Sequence, residues 1–121
     1  GSHIVDKLLA DGAHVLVLDN MVTGQAAIIE GHKKNKNYAF QKMDLFKDVE
    51  KLKIVFKDKD FVFHVAANAD IRGGMRNTRA DLEQNTIATY NILESMRWLL
   101  MRKIFQGIFM EETTFANIWR V

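Results

Sequence analysis

Four short apolar runs, separated by stretches of helical periodicity, constrain this chain more than any other feature: HVLVLDN (14–20), YAFQKMD (38–44), FVFHVAAN (61–68) and RKIFQGIF (102–109). Each is too short for a buried helix, and the first and third read as strands buried on both faces. Between them, Ile4, Val5, Leu8 and Leu9 recur at helical spacing and Asp11-Gly12 supplies a stop. A weak helix is expected from Gln25 to Glu30. A second, from Lys47 to Lys57, would bury Val49, Leu52, Val55 and Phe56. The longest helix is predicted from Thr78 to Leu99, with Leu82, Ile92, Met96 and Leu99 facing the core. MVTGQ and the glycine-rich DIRGGMRN read as loops. Strands alternating with helices predict β/α units, an α/β class and a mostly parallel sheet.

With 121 residues the chain can build one ordinary core, so a single domain is expected. A net charge of +2 does not favour a nucleic-acid partner, and the basic run GHKKNKN lacks interleaved aromatics, which suits a solvated loop. No apolar run approaches the ~18 residues of a membrane span, so no membrane partner is expected. The chain has no cysteine, which excludes disulfides and thiolate metal sites and fits a reducing, cytoplasmic setting. His3, His14, His32 and His64 share no metal-ligand spacing, and no metal site is predicted.

Four pieces of sequence, in order and spacing, carry a resemblance: GSHIVDKLLADGAHVLVLDN, MDLFKD, DFVFHVAANADIRGG and DLEQNTIATYNILESM. Together they resemble the N-terminal part of the extended short-chain dehydrogenase/reductases, the NAD-dependent nucleotide-sugar epimerases and dehydratases. The resemblance runs from Gly1 to about Phe105. It implies a Rossmann-like, mostly parallel sheet with flanking helices. It also implies that the first strand and the C-terminal substrate domain lie outside this sequence, so that the whole chain, 1–121, is one truncated dinucleotide-binding domain. Residues 106–121 read as a divergent tail.

The same resemblance implies NAD as cofactor, a nucleotide-sugar substrate and a set of cofactor-binding positions. Gly1 matches the third glycine of a G-x-x-G-x-x-G loop, although Gly-Ser-His is equally an expression-tag scar. Asp19, followed by Asn20, matches the acid on the adenosine ribose hydroxyls, which favours NAD over NADP. By itself Asp19 is also a good strand-end turn residue. Asp44 and Leu45 match the pair beside the adenine. Val65, Ala66 and Ala67 match the small residues that let the cofactor lie close. Asn85 matches an asparagine near the nicotinamide, although alone it reads as a helix-surface residue.

No catalytic residue is assigned. Beyond Phe105 the chain continues as QGIFMEETTFANIWRV, in which nothing matches the family's catalytic Ser/Thr or its Tyr-x-x-x-Lys. YAFQK does spell Tyr-x-x-x-Lys at Tyr38 and Lys42. On a strand, at ~3.3 Å per residue, those side chains stand ~13 Å apart, too far for the lysine to lower the phenol's pKa. The expectation is therefore a fragment without catalytic groups that keeps the adenosine half-site. The alternative is an oligomerising interaction module. A sheet without its central strand leaves edges open, which predicts a homo-oligomer, a dimer in the simplest case.

Overall fold

A computed structural model of the chain describes residues 1–107; the side chains of Ile71 and of residues 101–107 fall outside the description. Helix α1 (Ser2–Ala10) ends at Asp11, where the N–H groups of Gly12 and Ala13 reach back to the carbonyls of Leu9 and Leu8 at 3.1 and 3.0 Å. Gly12 has φ +83°, a left-handed conformation that glycine adopts without a Cβ clash. The chain then enters strand β1 (Val15–Asp19), crosses through α2 (Ala26–His32) and returns as β2 (Tyr38–Lys42). β1 and β2 pair in parallel, with Val15 opposite Tyr38 and Asp19 opposite Lys42. This is the βαβ unit expected when a helix joins two parallel strands. It also disposes of the Tyr-x-x-x-Lys decoy, since Tyr38 and Lys42 stand at opposite ends of β2.

Met43 and a turn at 44–48 lead into α3 (Val49–Val55). After the segment 57–70 come α4 (Ile71–Arg76), α5 (Thr78–Asp81), a π-helical turn (Leu82–Ile87) and α6 (Ala88–Gly107). α3 packs against α6, and the core lies between them and the sheet: Met43, Leu52, Phe56 and Ile92 are buried. Leu18, Leu45, Val55, Val62, Met96 and Leu99 pack around that cluster. On the other face, His32 Nε2 of α2 lies 3.1 Å from Asp6 Oδ1 of α1. Among the described residues, no helix is long and apolar enough to cross a membrane.

The structure departs from the sequence reading at several elements. Residues 61–68 form no ladder, although their exposure alternates as a strand's would: Phe61, Phe63 and Val65 are exposed, while Val62 and His64 are half-buried. The composition is that of a strand, but a ladder needs a neighbouring backbone, and none stands beside this segment among the described residues. β1 is half-buried along its whole length, not buried on both faces, because its edge away from β2 carries no strand among the described residues. The glycine-rich run 71–76 is a short helix, not a loop, begun by the Asp70 carboxylate accepting the Gly73 N–H at 2.9 Å.

Residues 102–107 continue α6 instead of starting a strand. No proline occurs in the chain, and no glycine intervenes between Gly74 and Gly107, so nothing stops the helix earlier. Residues 108 and 109 of that expected strand, and most of the tail 106–121, lie outside the described residues. Finally, Leu82 is 52% exposed and does not join the core, whereas Ile92, Met96 and Leu99 do. The π turn widens the hydrogen-bond span by one residue and breaks the phase between Leu82 and the rest of the stripe.

Candidate functional site

The candidate site grows from the carboxyl end of β1. Asp19 is the last residue of that strand, and its Oδ1 accepts the Met21 N–H at 2.7 Å, an Asx turn that redirects the chain. Met21 itself has φ +63°, and Asn20 Oδ1 accepts the Val22 N–H at 3.1 Å. The turn reading and the ribose reading of Asp19 are thus compatible. The Asx turn accounts for Oδ1, and Oδ2 remains for a ligand hydroxyl. Gly24 sits against this carboxylate; a Cβ there would stand 3.1 Å from Asp19 Oδ1 and 2.9 Å from Met21 Sδ. A side chain at position 24 would crowd the carboxylate.

Asp44 and Leu45 follow the neighbouring strand at the same end of the sheet. Asp44 Oδ1 accepts the Phe46 N–H at 2.9 Å, and the Asp44 N–H donates to Asp48 Oδ2 at 2.9 Å. Asp48 is further bonded by Lys51 Nζ at 2.6 Å. The hydrogen bond from Lys51, then that from the Asp44 N–H, hold the Asp48 carboxyl below its ordinary range. The Leu45 carbonyl accepts from Asn91 Nδ2 at 3.0 Å, which ties the turn to α6.

Between β1 and the unpaired segment 61–66 lies a cleft of about 700 Å³. α1 closes one side with Ile4, Val5 and Leu8, while Val55, Phe56 and Ile92 form the other. Gly1 meets the far wall, its Cβ position 3.4 Å from Val65 Cγ2. Five of the sequence-predicted residues line this cleft: Gly1, Asp19, Leu45, Val65 and Ala66. Asn20, Asp44 and Ala67 do not. Asn85 lines a separate cavity of about 460 Å³ with Asn68, Asp81, Thr78, Gly74 and Met75.

The cleft suits a nucleoside. It has apolar walls, one carboxylate at the strand end and a helix amino end, that of α1, where an anion is favoured. Tyr38, also in its lining, has its phenol pushed above the ordinary value by burial, the opposite of what a general base requires. Among the described residues, no group of three His or acidic side chains could hold a metal ion.

Sequence reading missed Asn68, Asp81, Gly24 and Thr89. Asn85 Oδ1 accepts the Asn68 N–H at 2.6 Å, and Asn68 Nδ2 donates to Asp81 Oδ1 at 2.8 Å. Thr89 Oγ1 donates to the Asn85 carbonyl at 2.5 Å and lies 2.8 Å from His64 Nε2. Thr89 Oγ1 thus bridges the Asn85 carbonyl and the His64 ring. The i, i+4 spacing of Asp81, Asn85 and Thr89 was the available signal, since it puts three polar groups on one helix face.

Comparison with known proteins places the chain in a family. The chain is 41% identical over 98 residues to a putative UDP-glucose 4-epimerase of Methanocaldococcus jannaschii, covering 80% of this chain and 30% of that one. It superposes on the Thermus thermophilus UDP-glucose 4-epimerase, solved with NAD, with a TM-score of 0.69 and 35% identity, covering 81% of this chain and 30% of that one. The Thermotoga maritima UDP-glucose 4-epimerase, solved with UDP-glucose, gives a TM-score of 0.69 at 32% identity, over 78% of this chain and 29% of that one. The chain therefore spans about 30% of the length of such relatives. A family model covers residues 1–108, and on that match the chain belongs to the NAD dependent epimerase/dehydratase family.

Proposed function

We propose that this chain is a single dinucleotide-binding domain, 1–121, whose residues 106–121 form a divergent tail, and that it keeps the adenosine half of an NAD site. The observation that carries this reading is the placement of Asp19. It ends β1 inside the cleft, with Oδ1 in the Asx turn and Gly24 leaving room beside it. A carboxylate so placed accepts ribose hydroxyls and repels a 2′-phosphate. Gly1 at the α1 amino end, Leu45, Val65 and Ala66 line the same cleft as the further cofactor positions; Asn20, Asp44 and Ala67 adjoin them in the chain, and Asn85 stands in a separate cavity. The described residues then contribute cofactor binding, and the proton-transfer base of nucleotide-sugar chemistry is not among them. The lack of cysteine supports a cytoplasmic setting. Calorimetric titration tests the specificity: NAD should bind at least about tenfold more tightly than NADP, and equal affinities would contradict the role of Asp19.

A second reading, a strand-accepting oligomer, draws support from the same cleft. The free edge of β1 faces it, and Phe61, Phe63 and Val65 stand exposed on the opposite wall. Unpaired edges of this kind pair with other chains. Sedimentation at micromolar concentration should show a dimer, and a compact monomer would refute this reading.

A further inference from the structure

Helix α1 is held to the rest of the fold with little burial. None of its residues is buried, and Ile4, Val5, Leu8 and Leu9 are half-buried. Ile4, Val5 and Leu8 form its side of the cleft. Among the described residues, one side-chain polar contact joins α1 to another element: His32 Nε2 of α2 lies 3.1 Å from Asp6 Oδ1. His32 also lines the cleft, with Ile28 and Ile29 of its own helix and Tyr38 of β2. The contact therefore ties together two walls of one cavity.

The groups around the His32 ring leave Asp6 as its charge partner. Across that carboxylate, one turn back on α1, His3 Nδ1 lies 3.6 Å from Asp6 Oδ2, with its side chain fully exposed. Lys7, the other charged residue of α1, is paired with Asp11 at 2.7 Å. From β2 the Tyr38 ring stands 5.2 Å away, tilted by 44°. Its phenol, pushed up by burial, stays neutral across the range in which imidazoles titrate. On α2 itself, Glu30 is taken by Lys33. The His32 side chain is 21% exposed and that of Asp6 54%, so water screens the pair and its strength is that of a partly exposed salt bridge.

We propose that Asp6 and His32 form a proton-controlled latch that holds α1 to α2 over the cleft, closed when the His32 ring is protonated. A protonated ring gives Asp6 a charge-assisted hydrogen bond. A neutral ring keeps at most an ordinary one, and only in the tautomer with its proton on Nε2. Imidazoles change charge between pH 5 and 8, so the latch tightens on acidification and loosens as pH rises. Because α1 buries no residue of its own, a contact of modest strength is enough to shift its opening equilibrium. The device needs no ligand and stands whether or not the cleft holds NAD.

The test uses the whole 15N-labelled chain in four forms: wild type, His3→Gln, Asp6→Asn and His32→Gln. Amide hydrogen exchange at Val5 and Leu8, corrected for intrinsic rates, is compared at about pH 5 and about pH 8. The amide of buried Ile92 reports on global opening in each form. In wild type and in His3→Gln, protection of α1 relative to Ile92 should be about two- to fivefold higher at the acid end. Asp6→Asn and His32→Gln, which break the latch from opposite sides, should each remove that difference. Protection that does not vary with pH in the wild type would overturn the latch. So would a variation that survives in Asp6→Asn or His32→Gln, or one that is lost in His3→Gln. A change shared equally by Ile92 is global unfolding and would overturn it as well.

Discussion

Leu52 is the most informative position for the stability of this small fold. It lies in α3, is 0% exposed and packs with Met43, Phe56 and Ile92 where α3 meets α6. Leu52→Ala removes three carbon atoms, worth about 2.4 kcal/mol at ~0.8 kcal/mol per buried methylene. A cavity term adds to this, because helices on one side and a two-stranded sheet on the other can collapse only partly, which brings the expected cost to about 3 kcal/mol. A domain of this size has roughly 5–15 kcal/mol of stability, so the loss is a large fraction of the whole. Ile54, in the same helix, is 75% exposed and serves as the control. Urea unfolding followed by circular dichroism, at two protein concentrations, should show a clear drop in midpoint for Leu52→Ala. Ile54→Ala should stay within about 0.5 kcal/mol of wild type. Equal effects from the two, or a Leu52→Ala cost below about 1 kcal/mol, would refute the placement of α3 against α6.

Two further perturbations probe the turns that carry the site. Asp48 has its carboxyl held below the ordinary range in the folded chain by Lys51 and the Asp44 N–H, so it binds fewer protons folded than unfolded. Its contribution is therefore present above the unfolded value, about 3.9, and is lost as pH falls through the lower folded value. Acid titration of stability should show that loss, and Asp48→Asn should flatten the acid limb. Gly74 is buried in α4, and a Cβ there would collide with Asp81 Oδ2. An ordinary helix Gly→Ala change gains up to ~1 kcal/mol. Gly74→Ala should instead lower the melting temperature and release the Asn68 side chain, visible as a changed Asn68 amide signal by NMR.

Much of the architecture is legible in the sequence where the physics is local. The helical spacing of Ile4, Val5, Leu8 and Leu9, the stop at Asp11-Gly12 and the apolar runs 15–19 and 38–42 yield the βαβ unit with its parallel register. Asp19 at a strand end is legible in the same way, because strand length places it there. What fails is non-local or cooperative. The run 61–68 has strand composition, but pairing depends on a neighbour that its own residues cannot supply. The run 102–107 has strand-like residues, yet it extends a helix already nucleated upstream, where adding a residue is cheap. The π turn has no residue signature, so the shift in phase that exposes Leu82 and directs Asn85 onto Asn68 is invisible from periodicity.

The survival of an adenosine half-site in this chain, with Asp19 as its anchor, is decided by titrating NAD into the purified protein by calorimetry, beside Asp19→Ala. Wild type should bind measurably, and Asp19→Ala should abolish that binding or weaken it by at least about tenfold, the loss expected for hydrogen bonds to a charged acceptor. Binding unaffected by Asp19→Ala, or none to the wild type at millimolar NAD, would contradict the half-site.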